Sequence, residues 1–179
     1  IISKKIIAEN GAVVSAHPLA SKVGVSILKQ GGNAVDAAIA TQLALAVVYP
    51  NAGNLGGGGF TVARLSNGET VSLDYREMAP GAAHRDMYLD ANGNANLEKS
   101  QSGHLSSGVP GTVAGLFASH QYARLPFAKL IQPAIELAEK GEAPIFGVHI
   151  LLGKMAPQIV RNAARNIEEG RTHPVQIIC

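Results

Sequence analysis

The residues best able to do chemistry lie between positions 51 and 76. Asn51 to Gly59 reads NAGNLGGGG, a loop with four consecutive glycines. Backbone N–H groups there carry no Cβ to shield them, so they can meet an anion or admit another piece of chain at close range. The plainer reading is a turn feeding the strand that starts at Phe60. No Gly-Lys-[Ser/Thr] follows, which excludes a nucleotide P-loop. Arg76 sits just past the end of an expected strand. A guanidinium there can grip a carboxylate bidentately and hold a small acidic molecule in register. On residue type alone, a surface ion pair with Glu77 or Asp74 is the commoner fate of such an arginine.

The remaining reactive side chains form weaker patterns. His17, His84 and His104 are far apart and match no ligand spacing, so no metal site is expected. His17 reads as a helix N-terminal residue and Asp36 as a carboxylate suited to a helix start. Ser106, Ser107 and Thr112 place hydroxyls before a helix, where they cap its end or help bind an anion. The threonines at 41, 61, 70 and 112 fall in helix, strand, turn and helix-start contexts.

Local patterns define the elements that must position these groups. Gly11 to Ala16 is small and β-branched, and is expected to be a buried strand. Pro18 suits a first helical position, and Leu19, Val23 and Ile27 recur at helical spacing up to a Gly31-Gly32 stop. Asn33 caps a second helix, Ala34 to Val48, which is apolar on nearly every face and therefore expected to be buried on most sides. Tyr49-Pro50 ends it. Phe60 to Leu65 and Val71 to Tyr75 read as strands joined at Asn67-Gly68, a pair typical of a type I′ turn. Asp90 to Asn96 is a turn-rich stretch. Pro110 is expected to open a helix reaching about Tyr122. Pro126 and Pro133 read as the starts of two short helices ending at Gly141. Beyond it periodicity weakens, although Met155 to Glu169 fits a polar-faced helix.

Composition narrows the class. The chain has 179 residues, 46% hydrophobic and 16% charged, which is the profile of one well-buried globular domain. A net charge of +2 with 4% aromatic residues gives no nucleic-acid surface. No apolar run reaches the length of a membrane span. The single cysteine, Cys179, allows no intrachain disulfide. Residue 1 is isoleucine, so a trimmed or partial chain is expected.

Five blocks, in order and in register, carry a resemblance to a known family: Ser15 to Ala20 (SAHPLA), Gly31 to Ala38 (GGNAVDAA), Asn51 to Phe60 (NAGNLGGGGF), Tyr75 to Pro80 (YREMAP) and Gly108 to Gly115 (GVPGTVAG). The chain resembles the gamma-glutamyltranspeptidases over about residues 8 to 141. This implies an α+β fold, part of the four-layer αββα sandwich of the N-terminal-nucleophile hydrolases, here truncated. It divides the chain into a large-subunit core, 1–141, and a divergent or frameshifted segment, 142–179.

The resemblance also implies a mechanism. A precursor cleaves itself, and the new N-terminal threonine of the small subunit attacks the gamma-glutamyl amide of glutathione or a related compound, its own amine serving as base. Arg76 matches the arginine that binds the donor's α-carboxylate. No cofactor and no metal are implied. The expected partners are gamma-glutamyl compounds, the missing small subunit and a second copy of the chain in a homo-oligomer, with no nucleic acid. The implied location is periplasmic or secreted. The nucleophile is expected outside this chain, since Thr172-His173 only superficially echoes the family's Thr-Thr-His motif. Two other readings remain: a non-catalytic remnant that acts by association, and an acylase of the same fold that removes glutaryl side chains from β-lactams.

Overall fold

The computed structural model describes residues 7–141. The segment 142–179, with the expected helix at Met155 to Glu169 and the Thr172-His173 pair, lies outside the described residues. Among those residues the chain runs α1 (Pro18–Lys29), α2 (Ala34–Val48), β1 (Phe60–Arg64), β2 (Thr70–Asp74), α3 (Leu97–Gln101), a 3-10 turn at His104–Ser106, α4 (Thr112–His120) and α5 (Phe127–Glu139).

The helical layer is organised around α2. Its sequence has almost no polar side, and α1, α5 and α4 pack around it. Ile27, Ile39, Leu43, Ala44, Leu116 and Leu130 are buried in one cluster. Each fully buried large side chain there contributes about 1.5–3 kcal/mol relative to exposure.

The helix ends are closed as the sequence suggests. Gly31 takes φ +90° at the end of α1. Its N–H then reaches the Leu28 carbonyl at 3.0 Å, and that of Gly32 reaches Ile27 at 3.1 Å. These two bonds satisfy carbonyls that would otherwise be orphaned. Asn33 caps α2 by accepting from the N–H groups of Val35 (2.8 Å) and Asp36 (3.0 Å). Asp36 returns a bond by accepting from the Asn33 N–H at 2.7 Å, completing a capping box.

β1 and β2 form an antiparallel hairpin in which Phe60 faces Asp74, Val62 faces Ser72 and Arg64 faces Thr70. The inner face of β2 continues into Tyr75, so Val71, Leu73 and Tyr75 pack toward Ala118 and Tyr122. The outer face leaves Phe60 63% and Val62 77% exposed.

Several expectations are corrected. Gly11 to Ala16 forms no strand. It lies instead over α1, with Val13 against Gly24 and Val14 in solvent. The hairpin turn is not type I′. Asn67 keeps negative φ and only Gly68 is left-handed, at +88°. Gly68 donates to the Leu65 carbonyl at 2.9 Å, and Leu65 donates to Glu69 at 2.8 Å. A type I turn followed by a left-handed glycine accommodates one more residue than the two-residue loop.

The helix after Pro110 starts two residues later, at Thr112, and ends at His120. Pro133 does not start a helix. It lies within α5, which continues through it because Leu130, Ile131 and Ala134 are all anchored in the core on both sides of the ring. The cost is the backbone bond that a residue with an N–H would make to Lys129. The short α3 and the 3-10 turn had no signal in the sequence.

Candidate functional site

Three segments meet where β2 ends. The first is the glycine loop, the second Tyr75 to Met78, the third Gly108 to Gly115. The Gly57 carbonyl accepts from the N–H groups of both Gly111 (2.8 Å) and Thr112 (3.0 Å). The Asn54 amide oxygen accepts from the Thr112 hydroxyl at 2.6 Å and from the Gly57 N–H at 2.9 Å. Met78 and Val109 exchange backbone bonds at 3.2 and 2.8 Å as an isolated antiparallel bridge. Thr112 thus takes neither of the two roles weighed for it, since its hydroxyl neither caps the end of α4 nor faces outward to an anion. Thr112 is fully buried, and its hydroxyl and N–H are used inside the protein.

The glycines are needed for contact, not for unusual backbone angles. None of Gly56 to Gly59 has positive φ. A Cβ at Gly58 would fall 2.6 Å from the Arg76 Cα, and one at Gly59 would fall 2.8 Å from the Tyr75 ring. From the third segment, a Cβ at Gly115 would run into the same ring and one at Gly111 into the Tyr75 carbonyl oxygen. Tyr75 is thus clamped between two glycine surfaces. Its hydroxyl lies 3.1 Å from the Thr61 hydroxyl and donates to the Gln42 amide oxygen at 3.3 Å, tying β2 to β1 and to α2.

This clamp fixes the direction in which Arg76 leaves the strand. Its backbone is pressed against the glycine loop, and its side chain is exposed. The ion pair with Glu77 or Asp74 that residue type suggested does not form. Asp74 uses its carboxylate to accept the Arg76 backbone N–H at 3.0 Å. Among the described residues the one ion pair is Arg85–Asp86, at 3.8 Å on the surface. The exposed Arg76 side chain thus makes no ion pair among the described residues.

The other candidates are not brought to this site. His17 caps α1, its Nδ1 accepting from the Leu19 N–H at 3.3 Å. His84 is exposed on a loop and His104 is exposed at the start of the 3-10 turn. No group of three or more metal-binding side chains is present among the described residues. Asp36 is fully buried and does more than start a helix. It also accepts from the backbone N–H groups of Arg124 (3.1 and 3.2 Å) and Leu125 (2.9 Å), stapling α2 to the connection between α4 and α5. Asn54 and Tyr75, which hold the site together, were not singled out by sequence reasoning. Their only signal was membership of the blocks Asn51 to Phe60 and Tyr75 to Pro80.

Solved structures place this arrangement in a fold class. The chain superimposes on the gamma-glutamyltranspeptidase of Helicobacter pylori with a TM-score of 0.72 at 51% identity, over 75% of this chain and 39% of that one. It also superimposes on a cephalosporin acylase from Bacillus halodurans at 0.61 and 25% identity, over 99% of this chain and 36% of that one. The fold is α+β, part of the N-terminal-nucleophile hydrolase sandwich. Residues 20–145 match the family model described as gamma-glutamyltranspeptidase. The chain belongs to the gamma-glutamyltranspeptidase family. It is 55% identical over 135 residues to the glutathione hydrolase proenzyme of Escherichia coli, 75% of this chain but 23% of that protein. It thus spans about a quarter of the length of such relatives.

Proposed function

We propose that this chain supplies the carboxylate-binding part of a gamma-glutamyl donor site, with Arg76 holding the α-carboxylate of glutathione or a related gamma-glutamyl compound. The observation that carries the reading is that Arg76, its Cα against Gly58 of the glycine loop, has an exposed side chain with no ion pair among the described residues. A bidentate pair there fixes the position of the donor's γ-amide relative to an attacking group.

The attacking group in this proposal is a threonine outside the described residues. Thr41 lies mid-helix, Thr61 and Thr70 in the hairpin, and Thr112 is buried in the clamp. The threonine hydroxyl adds to the γ-carbonyl carbon and gives its proton to the amine. The amide C–N bond breaks, the leaving amine takes up that proton, and an ester to the enzyme remains. Water then releases glutamate, or an acceptor amine forms a new amide. The chain by itself is proposed to be inactive, with its partner polypeptide completing the site. A periplasmic or secreted location is part of the same proposal.

A second reading, a glutaryl-type β-lactam acylase, is favoured by the likeness to the cephalosporin acylase, since glutarate also offers a carboxylate to Arg76. Grafting residues 8–141 into the matching segment of the Escherichia coli relative separates the two. Turnover of a gamma-glutamyl anilide supports the first reading, and turnover of a glutaryl amide alone supports the second. Turnover of a gamma-glutamyl anilide by the 179-residue chain alone would contradict the assignment of the nucleophile elsewhere.

A further inference from the structure

The main chain of Arg76 is held on three sides, and one of the three is a side chain. A Cβ at Gly58 would lie 2.6 Å from the Arg76 Cα, and one at Gly111 would lie 3.1 Å from its carbonyl oxygen. Both of those walls are glycine backbone. On the third side the Asp74 carboxylate accepts the Arg76 N–H at 3.0 Å. Among the described residues Asp74 is the one side chain that hydrogen-bonds to Arg76. The bond joins residues two apart, the local pattern in which an aspartate oxygen stands in for a backbone acceptor. It is set by the sequence at 74–76 and not by polypeptide elsewhere. Asp74 is the last residue of β2 and pairs with Phe60, while Tyr75 donates to the Gly59 carbonyl at 3.1 Å. Alternation along the strand then turns the Arg76 N–H away from β1, and Asp74 provides its acceptor.

We infer that Asp74 is a positioning residue for Arg76: its carboxylate fixes the backbone from which the guanidinium reaches the donor. This role rests on the reading of Arg76 as the residue that binds the donor's α-carboxylate. A bidentate arginine–carboxylate pair depends on direction, because two parallel N–H···O bonds must align at once. Fixing the root of a long side chain removes freedom that binding would otherwise have to remove. Asp74 does this through the main chain and leaves the guanidinium alone, since no ion pair forms between the two side chains. An aspartate that drew the guanidinium to itself would compete with the donor's carboxylate. Asp74 does not touch the donor. It acts through Arg76, so its removal should be felt only by donors that carry the α-carboxylate.

The test uses the graft of residues 8–141 in the Escherichia coli relative, with gamma-glutamyl and gamma-aminobutyryl anilides as donors, the second lacking the α-carboxylate. Asp74→Ala should raise KM for the gamma-glutamyl donor about 3- to 10-fold with little change in kcat, the worth of one hydrogen bond. The carboxylate-free donor should keep its kcat/KM within about twofold, which also shows that the variant is folded. Asp74→Asn keeps an acceptor oxygen and drops the charge, and should return KM to the wild-type value or below it. In the full 179-residue chain, hydrogen exchange at the Arg76 amide should quicken in Asp74→Ala and stay slow in Asp74→Asn. Equal losses on both donors, or an Asp74→Asn variant no better than Asp74→Ala, would overturn the inference. Arg76→Ala, measured alongside, separates this role from the reading beneath it. If Arg76→Ala is selective for the gamma-glutamyl donor while Asp74→Ala changes neither donor, the role of Asp74 alone fails. If Arg76→Ala affects both donors equally, the donor-site reading fails and the role of Asp74 with it.

Discussion

The Arg76 backbone rests on Gly58 so closely that a Cβ at 58 would lie 2.6 Å from the Arg76 Cα. Gly56, two residues earlier in the same loop, has nothing within 4 Å of its ideal Cβ position. The loop is therefore not uniformly dependent on glycine. Gly58→Ala should destabilise the chain by about 1–3 kcal/mol, because backbone must move to admit the methyl. Gly56→Ala should be neutral or slightly stabilising through the unfolded state. Urea unfolding of both variants checks the contrast, and equal effects would show that the loop's glycines are not there for contact.

Asp36 receives backbone N–H groups from Asn33, Arg124 and Leu125 while wholly buried. Asp36→Ala strands these donors, and a loss of about 3 kcal/mol or more is expected. Asp36→Asn should fall between, since one amide oxygen replaces two carboxylate oxygens and adds donors facing donors. A fall in the urea midpoint without a change in slope is the expected signature.

Those two residues mark what the sequence could and could not disclose. The Asn33–Asp36 capping box was legible because both ends lie within one turn of helix. The bonds to Arg124 and Leu125 join residues 88 and 89 positions apart, and no local pattern encodes them. The same division holds at the site. Arg76 was raised only by the order of the family's blocks, residue type alone favouring a surface ion pair, whereas the contacts of Asn54, Thr112 and the Tyr75 clamp depend on three distant segments meeting. The Gly11 to Ala16 run shows the converse limit. Strand propensity was present, yet the run forms no strand and lies over α1. Pro133 shows another, since core contacts on both sides carried α5 through a residue that ordinarily ends a helix.

Tyr75 places its hydroxyl near Thr61, Gln42 and, at 3.4 Å, the Phe60 carbonyl. Tyr75→Phe keeps the ring between Gly59 and Gly115 and removes only the hydroxyl. A loss of about 1 kcal/mol is expected, with the far-ultraviolet spectrum unchanged. A loss above about 3 kcal/mol would mean that the hydroxyl, not the ring, holds the clamp.

Asp90 accepts from the backbone N–H groups of Asn94 (2.9 Å) and Asn92 (2.8 Å), and these bonds hold its carboxyl below the ordinary aspartate value of 3.8. Bonding favours the charged form, so the turn's share of stability is complete above that value and is lost as pH falls through it and below. The Asn92 and Asn94 amides should therefore lose their hydrogen-bonded chemical shifts on acidification below about pH 4, and Asp90→Asn should remove that titration. A titration of these amides centred at or above the ordinary value, or one that persists in Asp90→Asn, would contradict the assignment.

In the proposed donor site, Arg76 recognises the carboxylate beside the donor's amino group. In the graft of residues 8–141 into the Escherichia coli relative, steady-state kinetics of Arg76→Ala should be measured with two anilides. One carries the gamma-glutamyl group and the other a gamma-aminobutyryl group, which lacks the α-carboxylate. Loss of a charge-assisted pair should lower kcat/KM for the gamma-glutamyl donor about 10- to 100-fold and leave the carboxylate-free donor within about twofold. An equal loss on both donors, or none on either, would contradict the account.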